Sequence, residues 1–172
     1  GIASSGIHSN GLSLARKVVF EKMGMRPDDM VEELGCTIGE ELLRPTKIYA
    51  RTIMNLLRDF RINGIAHITG GGLVDNIARI LPRGLAANIC KGCWKIPPIF
   101  TFLKEHGSIS DEEMLRTFNN GIGMVLIVSP EDEEEILLRL KALEQKAITI
   151  GEIEKKERGK KSVLFTDPGA SL

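Results

Sequence analysis

The sequence predicts an α+β fold with α/β-like layers, a mixed β-sheet covered by helices, and three observations carry that prediction. Apolar residues recur with helical spacing in some segments and as short apolar, strand-like runs in others. The two kinds of segment are interspersed, with connections long enough to cross a sheet. At Thr69-Gly70-Gly71-Gly72 a strand-like segment runs straight into a helical one through three glycines. The 172 residues suit one domain at the usual roughly 100 to 200 residues each, and no repeat or low-complexity linker divides them. The expected unit is therefore a single domain over 1–172.

Each element follows from local chemistry. Gly1 to Gly6 reads as the tail of a strand entering a loop, and Gly6 to Gly11 as a Gly-rich turn. Leu12, Ala15, Val18, Val19 and Met23 then share a helical face, and Gly24 stands where a left-handed terminator belongs. After a polar stretch from Arg26 to Glu33, a second pattern around Ile38, Leu42 and Leu43 ends near Pro45, whose ring disfavours helix in the residue before it. A third helix is expected over Tyr49 to Phe60. Asn63-Gly64 turns the chain into the strand Ile65 to Thr69, and the three glycines lead into a helix over Leu73 to Leu81. Pro82-Arg83-Gly84 breaks the chain before a strand over Leu85 to Cys90. Pro97-Pro98 opens a helix from Ile99 to His106, which Gly107 stops.

Ser110 and Glu113 fit a capping box, so a helix is expected over Asp111 to Phe118. Asn119-Asn120-Gly121 turns into the strand Ile122 to Val128. Ser129 is expected to cap the next helix, with Pro130 at its first position and the acids Glu131 to Glu135 against the positive end of its dipole. That acidic run is structural, because acids on successive residues do not converge on one ion. Ala147 to Ile153 and Ser162 to Phe165 read as two strands joined by the polar turn Glu154 to Lys161.

Composition removes several function classes. Lys plus Arg (23) balance Asp plus Glu (23), so no net field draws the molecule to nucleic acid or anionic lipid, and an anion site must be local. The longest apolar runs fall far short of the roughly 20 residues of a membrane span. Three cysteines make no disulfide framework, and no basic segment leads into an apolar signal core, so a cytoplasmic setting is expected. Gly1 stands where an initiator Met would, and the expectation is that an upstream part has been removed.

Two stretches share one chemical design. In Gly6-Ile-His-Ser-Asn-Gly11 the glycines permit tight backbone geometry, Ser9 and Asn10 supply short polar groups, and the following helix offers unpaired amides. Thr69, Gly70, Gly71 and Gly72 repeat the design, with Asn76 one turn on. Each could be an ordinary tight turn. Two in one domain favour an anion-binding reading, although neither matches the dinucleotide fingerprint or the Walker pattern. His8, inside the first loop, is a candidate proton carrier or phosphate ligand. His67 is expected as a hydrogen-bonded core or face residue and His106 as a helix-closing cation. Cys90-Lys-Gly-Cys93 lacks the second ligand pair of a zinc site, and no helix begins at its second half as redox pairs prefer, so neither role is assigned. No metal-binding residues are expected in this chain.

In this order, a set of segments resembles one family, phosphoribosylformylglycinamidine cyclo-ligase, also called aminoimidazole ribonucleotide synthetase. They are Ser4-Ser-Gly-Ile-His-Ser-Asn-Gly11 with Ser13-Leu14 and Arg16; Leu42-Leu43 with Pro45-Thr46 and Ile48-Tyr49; and His67-Ile-Thr-Gly-Gly-Gly72 with Asn76. Further on come Trp94 with Pro97-Pro-Ile-Phe100; Met114 with Arg116-Thr-Phe-Asn119 and Gly121-Ile-Gly-Met124; and Ile150-Gly-Glu152. The likeness is to the C-terminal domain and implies its fold. It implies an absent N-terminal domain carrying most ATP-binding residues and the main dimer contact.

The implied reaction turns formylglycinamidine ribonucleotide and ATP into aminoimidazole ribonucleotide, ADP and phosphate, in purine biosynthesis. His8 would be catalytic. Ser9, Asn10, Gly11, Thr69, Gly70, Gly71, Gly72 and Asn119 would bind substrate or phosphate, and Mg²⁺ would accompany ATP on ligands mainly in the absent half. The implied assembly is a homodimer of the full-length protein, with no nucleic acid or membrane partner. Related enzymes of the same two-domain plan are the alternatives: formylglycinamidine ribonucleotide synthetase, selenophosphate synthetase, thiamine-monophosphate kinase and the hydrogenase-maturation dehydratase. A non-catalytic interaction module is another. Cys90 and Cys93 fall outside the resemblance.

Overall fold

The computed structural model describes residues 1–167. Its strands divide between two three-stranded sheets and a small hairpin. The first sheet is antiparallel, in the order β1 (Ile2–Ala3), β6 (Ile122–Ile127), β4 (Gly64–His67). The second is mixed: β5 (Leu85–Cys90) runs antiparallel to β7 (Gly151–Lys155) and parallel to β8 (Val163–Thr166). The expected strands at 147–153 and 162–165 therefore exist, shifted by a few residues, but β5 lies between them. The hairpin of β2 (Met30–Val31) and β3 (Cys36–Thr37) occupies a region read as polar connection.

The helices fall close to where periodicity places them. Helix α1 (Leu12–Arg16) continues without a break as a π-helical stretch, Lys17–Lys22, and the chain turns at Gly24, whose φ is +67°. Next come α2 (Ile38–Leu42), α3 (Ala50–Asp59), α4 (Gly72–Ile80), α5 (Pro98–Gly107), α6 (Asp111–Thr117) and α7 (Glu133–Ala142). Two capping expectations need correction. At Ser110 only half the box forms: its hydroxyl accepts from the Glu113 amide at 3.3 Å, while the Glu113 carboxylate accepts from the Thr117 hydroxyl instead of reaching back. At Ser129 there is no side-chain cap, because a short 3₁₀ turn, Pro130–Asp132, stands between it and α7. The complete capping box is at Thr37 and Glu40.

Three apolar clusters hold these layers. Ile7, Ala15, Val18, Val19, Phe100, Leu103 and Phe118 pack α1, α5 and α6 together. Ala66, Ile68, Leu73, Ile77, Ala87, Ile89 and Val125 join α4 to both sheets. Tyr49, Leu56, Phe60, Met124, Ile136 and Leu140 seat α3 and α7 on the antiparallel sheet. On β6, Ile122 and Val125 belong to the α4 cluster, while Met124 and the half-buried Leu126 join the α3–α7 side. Cys90 and Cys93 are joined as a disulfide, whereas Cys36 is free.

Candidate functional site

The structure brings both Gly-rich loops onto one support, the last turn of α6 and the residues after it. Gly11 has φ of +80° and lies against the Phe118 ring and the Thr117 methyl group, leaving no room for a Cβ. The Asn10 side-chain amide donates to the Thr117 carbonyl at 3.2 Å. On the other side, Gly72, with φ of +57°, packs its backbone on the Leu115 carbonyl, again without space for a Cβ. The glycines at 11 and 72 thus serve conformation and close approach together.

Asn119 is fully buried and fastens the first loop. Its amide nitrogen donates to the carbonyls of Gly6 and Ile7, both at 2.9 Å, and its oxygen accepts from the Ser4 hydroxyl and the Gly121 amide. Its expected substrate-binding role therefore meets a side chain whose hydrogen bonds are already internal. Asn76 does the same for the second loop, donating to the carbonyls of Thr69, Gly70 and Gly72 and accepting from the Thr69 hydroxyl. Ser9 and Gly70 lie at the surface, whereas Asn10 and Gly72 are buried.

His8 is buried with φ of +62°, and its ring packs edge-on against Tyr49. Its Nε2 lies 3.1 Å from the Ser5 amide, which can only donate, so Nε2 is the acceptor and Nδ1 carries the ring proton. Burial, reinforced by the charges of His67 and Lys47, lowers its pKa to about 4, so the ring is neutral at neutral pH. Nδ1 is buried and has no partner among the described residues, as does the Asn10 Oδ1. The loop thus holds one unpaired donor and one unpaired acceptor.

The sequence reading missed the rim of this loop. The Tyr49 hydroxyl and the Lys47 ammonium both donate to the Ala3 carbonyl, at 3.1 and 3.3 Å, and Lys47 also lies over the Tyr49 ring. Burial pushes the Tyr49 hydroxyl pKa upward and lowers that of Lys47, the latter helped by Lys146. Arg44 lies against Gly6 and pairs at 2.8 Å with the buried Glu41 carboxylate. The signals in the sequence were Pro45-Thr46 and Ile48-Tyr49, which entered only through the resemblance; in the structure Arg44 and Lys47 stand on either side of Pro45-Thr46. His67 is exposed and its ring also meets Tyr49 edge-on, so it is a face residue without a side-chain hydrogen bond among the described residues. His106 sits on α5 beside Phe102.

A cavity of about 540 Å³ lies between the two sheets, lined by Ile77, Ala87, Ile89, Val125 and Ile136 among others, and no residue of either loop reaches it. Among the described residues no three His, Cys, Asp or Glu side chains gather as a metal site, and no helix is long and apolar enough to cross a membrane.

Comparison with known proteins adds an independent line. Residues 1–163 match the family model described as AIR synthase related protein, C-terminal domain. Two curated relatives named phosphoribosylformylglycinamidine cyclo-ligase, from Syntrophotalea carbinolica and Citrifermentans bemidjiense, are 57% and 55% identical over 96% and 95% of this chain. The chain spans about half their length, 47% of each. A crystal structure of thiamine-monophosphate kinase from Stenotrophomonas maltophilia superimposes with a TM-score of 0.62 over 95% of this chain and 48% of that one, at 15% identity, and so shares the fold. The match to the family model over residues 1–163, on the architecture described above, places this chain in the AIR synthase related protein C-terminal domain family.

Proposed function

We propose that this chain is the C-terminal, substrate-binding domain of an ATP-dependent cyclo-ligase that converts formylglycinamidine ribonucleotide to aminoimidazole ribonucleotide. The observation that carries the reading is identity above 50% to proteins named phosphoribosylformylglycinamidine cyclo-ligase across nearly the whole chain. The geometry supports it. Two Gly-rich loops hang from the end of α6, and the first holds a buried unpaired donor on His8 and a buried unpaired acceptor on Asn10. A ribonucleotide carries anionic oxygens for the donor and N–H or hydroxyl groups for the acceptor.

In this reading Ser9, Asn10 and Gly11, with Thr69, Gly70, Gly71 and Gly72, hold the substrate or the transferred phosphate through amides at two helix starts. Asn119 completes the wall by fixing the first loop in place. Phosphorylation of the formyl amide oxygen by ATP makes that oxygen a good leaving group, and ring closure by the amidine-side nitrogen then expels phosphate. His8, neutral with its proton on Nδ1, acts by donating that proton in a hydrogen bond to a polarised oxygen, a role that needs no cationic ring. Arg44 and Lys47 supply positive charge at the rim. No Mg²⁺ ligand is assigned to this chain. The metal's ligands and most ATP contacts fall to an N-terminal domain, and the longer protein works as a cytoplasmic homodimer.

The test is ribonucleotide-dependent ADP release. The chain joined to its N-terminal half should turn over with formylglycinamidine ribonucleotide, and the isolated chain should not. Robust turnover by the isolated chain would refute the division of labour. A joined protein that ignores this ribonucleotide but phosphorylates another acceptor would refute the reaction.

A further inference from the structure

The Cys90-Lys-Gly-Cys93 motif lies outside both loops, yet the structure wires it to the first of them. Cys90 ends β5, where its backbone is clamped on both sides: its amide donates to the Ile150 carbonyl at 2.8 Å, and the next amide, of Lys91, donates to the Thr166 carbonyl at 2.7 Å. Gly92, with φ of +82°, turns the chain so that the Cα atoms of Cys90 and Cys93 come within 5.6 Å and their sulfurs join. Both cysteines are half-buried, so an exchange partner has partial access.

Two residues just beyond Cys93, Trp94 and Pro97, lean on the turn after α6. The Trp94 indole donates to the Asn120 carbonyl at 2.8 Å, and the Pro97 ring fills the space beside Gly121. The Asn120 side chain is buried and donates to the carbonyls of Met114 and Phe118, tying the turn to α6. Its neighbour Asn119 holds the carbonyls of Gly6 and Ile7. Contacts therefore run without a gap from Cys93 through Trp94, Asn120 and Asn119 to the first Gly-rich loop.

We propose that Cys90 and Cys93 are a reversible dithiol–disulfide pair, a thiol-exchange site that latches the β5–α5 connection onto the Asn119–Gly121 turn. In the exchange, one cysteine thiolate attacks an external disulfide, forms a mixed disulfide and releases one external thiolate. The second cysteine thiolate then displaces the other, leaving the intramolecular S–S bond. The protein pair loses two electrons and two protons, and the external disulfide becomes two thiols. The external partner is a small-molecule or protein disulfide. Zinc retention fits less well, because no third or fourth ligand stands near among the described residues. If the chain works in the cytoplasm, a disulfide there is transient and regulatory in character. With the pair reduced, the four-residue ring opens, and beyond the Lys91–Thr166 backbone bond the connection is held by the Trp94 and Pro97 contacts.

The test uses the chain with Cys36→Ser, which leaves this pair as the only thiols. Samples are equilibrated in mixtures of reduced and oxidised dithiothreitol, trapped with a maleimide and counted by mass. The emission of Trp94, the one tryptophan, is read on the same samples, and amide exchange is followed over 117–123. Expected are a reversible gain of two thiols, an emission change that tracks it, and exchange over 117–123 at least about threefold faster in the reduced form. Repeating the titration on the unsubstituted chain covers the case in which Cys36→Ser disturbs the fold. A pair that stays oxidised, or stays reduced, across the whole range while the chain is folded overturns the proposal. So does full thiol titration with unchanged emission and unchanged exchange over 117–123, since the latch would then move nothing. These readouts involve no ribonucleotide, so their failure leaves the proposed reaction untouched.

Discussion

His8 shows how a side chain the sequence marks for proton chemistry is redefined by its surroundings. A loop histidine of ordinary pKa near 6.5 would titrate near neutrality, but here burial and the charges of His67 and Lys47 hold the native value at about 4. Between those two values the unfolded chain binds a proton that the native chain refuses, so stability rises with pH. The contribution is complete above about pH 6.5 and is lost as pH falls toward 4, by up to about 1.4 kcal/mol per pH unit. Urea unfolding at pH 7.5, 6 and 5 should show this slope in the native chain and a flatter one in His8→Asn, which tolerates the left-handed φ but does not titrate. Equal slopes would place His8 outside the titrating set. The sequence marked His8 and Asn10 as candidates by their place between glycines; it could not show that each keeps a buried polar atom without a partner among the described residues. Nor could it show that Asn119 spends its amide on Gly6 and Ile7, since those partners lie more than a hundred residues away in sequence.

At the level of elements, local chemistry predicted helices well and caps poorly. Helix periodicity is carried by residues three and four apart, so α3, α4, α5 and α6 fell within a residue or two of their expected ends. A cap depends on one dihedral and one rotamer, so Ser110 caps α6 without the reciprocal Glu113 bond, and the Thr37 box went unread. Thr37 makes the reciprocal box with Glu40, while Ser129 makes no side-chain cap bond. Thr37→Ala should therefore cost about 1 kcal/mol and Ser129→Ala less than about 0.5 kcal/mol, read by chemical denaturation of both variants. The reverse order would mean that the 3₁₀ turn before α7 depends on Ser129 after all. The β2–β3 hairpin escaped notice because its strands are two residues long, too short for alternation to register. Strand partners escaped for a different reason. Nothing local in 147–166 says that β5 will stand between the last two strands, because sheet order is decided by packing of distant segments.

On the scale of the whole molecule, the first loop has an apolar shoulder that this chain leaves uncovered. Leu43 and Ile48 are each 82% exposed, on either side of Pro45, whose carbonyl accepts from the Ser5 hydroxyl of the loop's entry. Scattered surface leucines are ordinary, but two large side chains this exposed beside a candidate site in a chain spanning about half its relatives suit a domain interface. Ligand sites favour such interfaces, where a second domain closes over groups the first presents. The expected outcome separates two backgrounds. In the isolated chain, Leu43→Ser with Ile48→Ser should leave unfolding free energy within about 0.5 kcal/mol, because neither side chain loses burial. If the proposed N-terminal domain covers this shoulder, the same pair should destabilise the longer protein by at least about 2 kcal/mol, the apolar burial lost at about 25 cal/mol per Å². Denaturant melts of both proteins decide it. Equal small effects in the two would mean that the shoulder stays in water in the whole protein and that the second domain approaches the loop from another side.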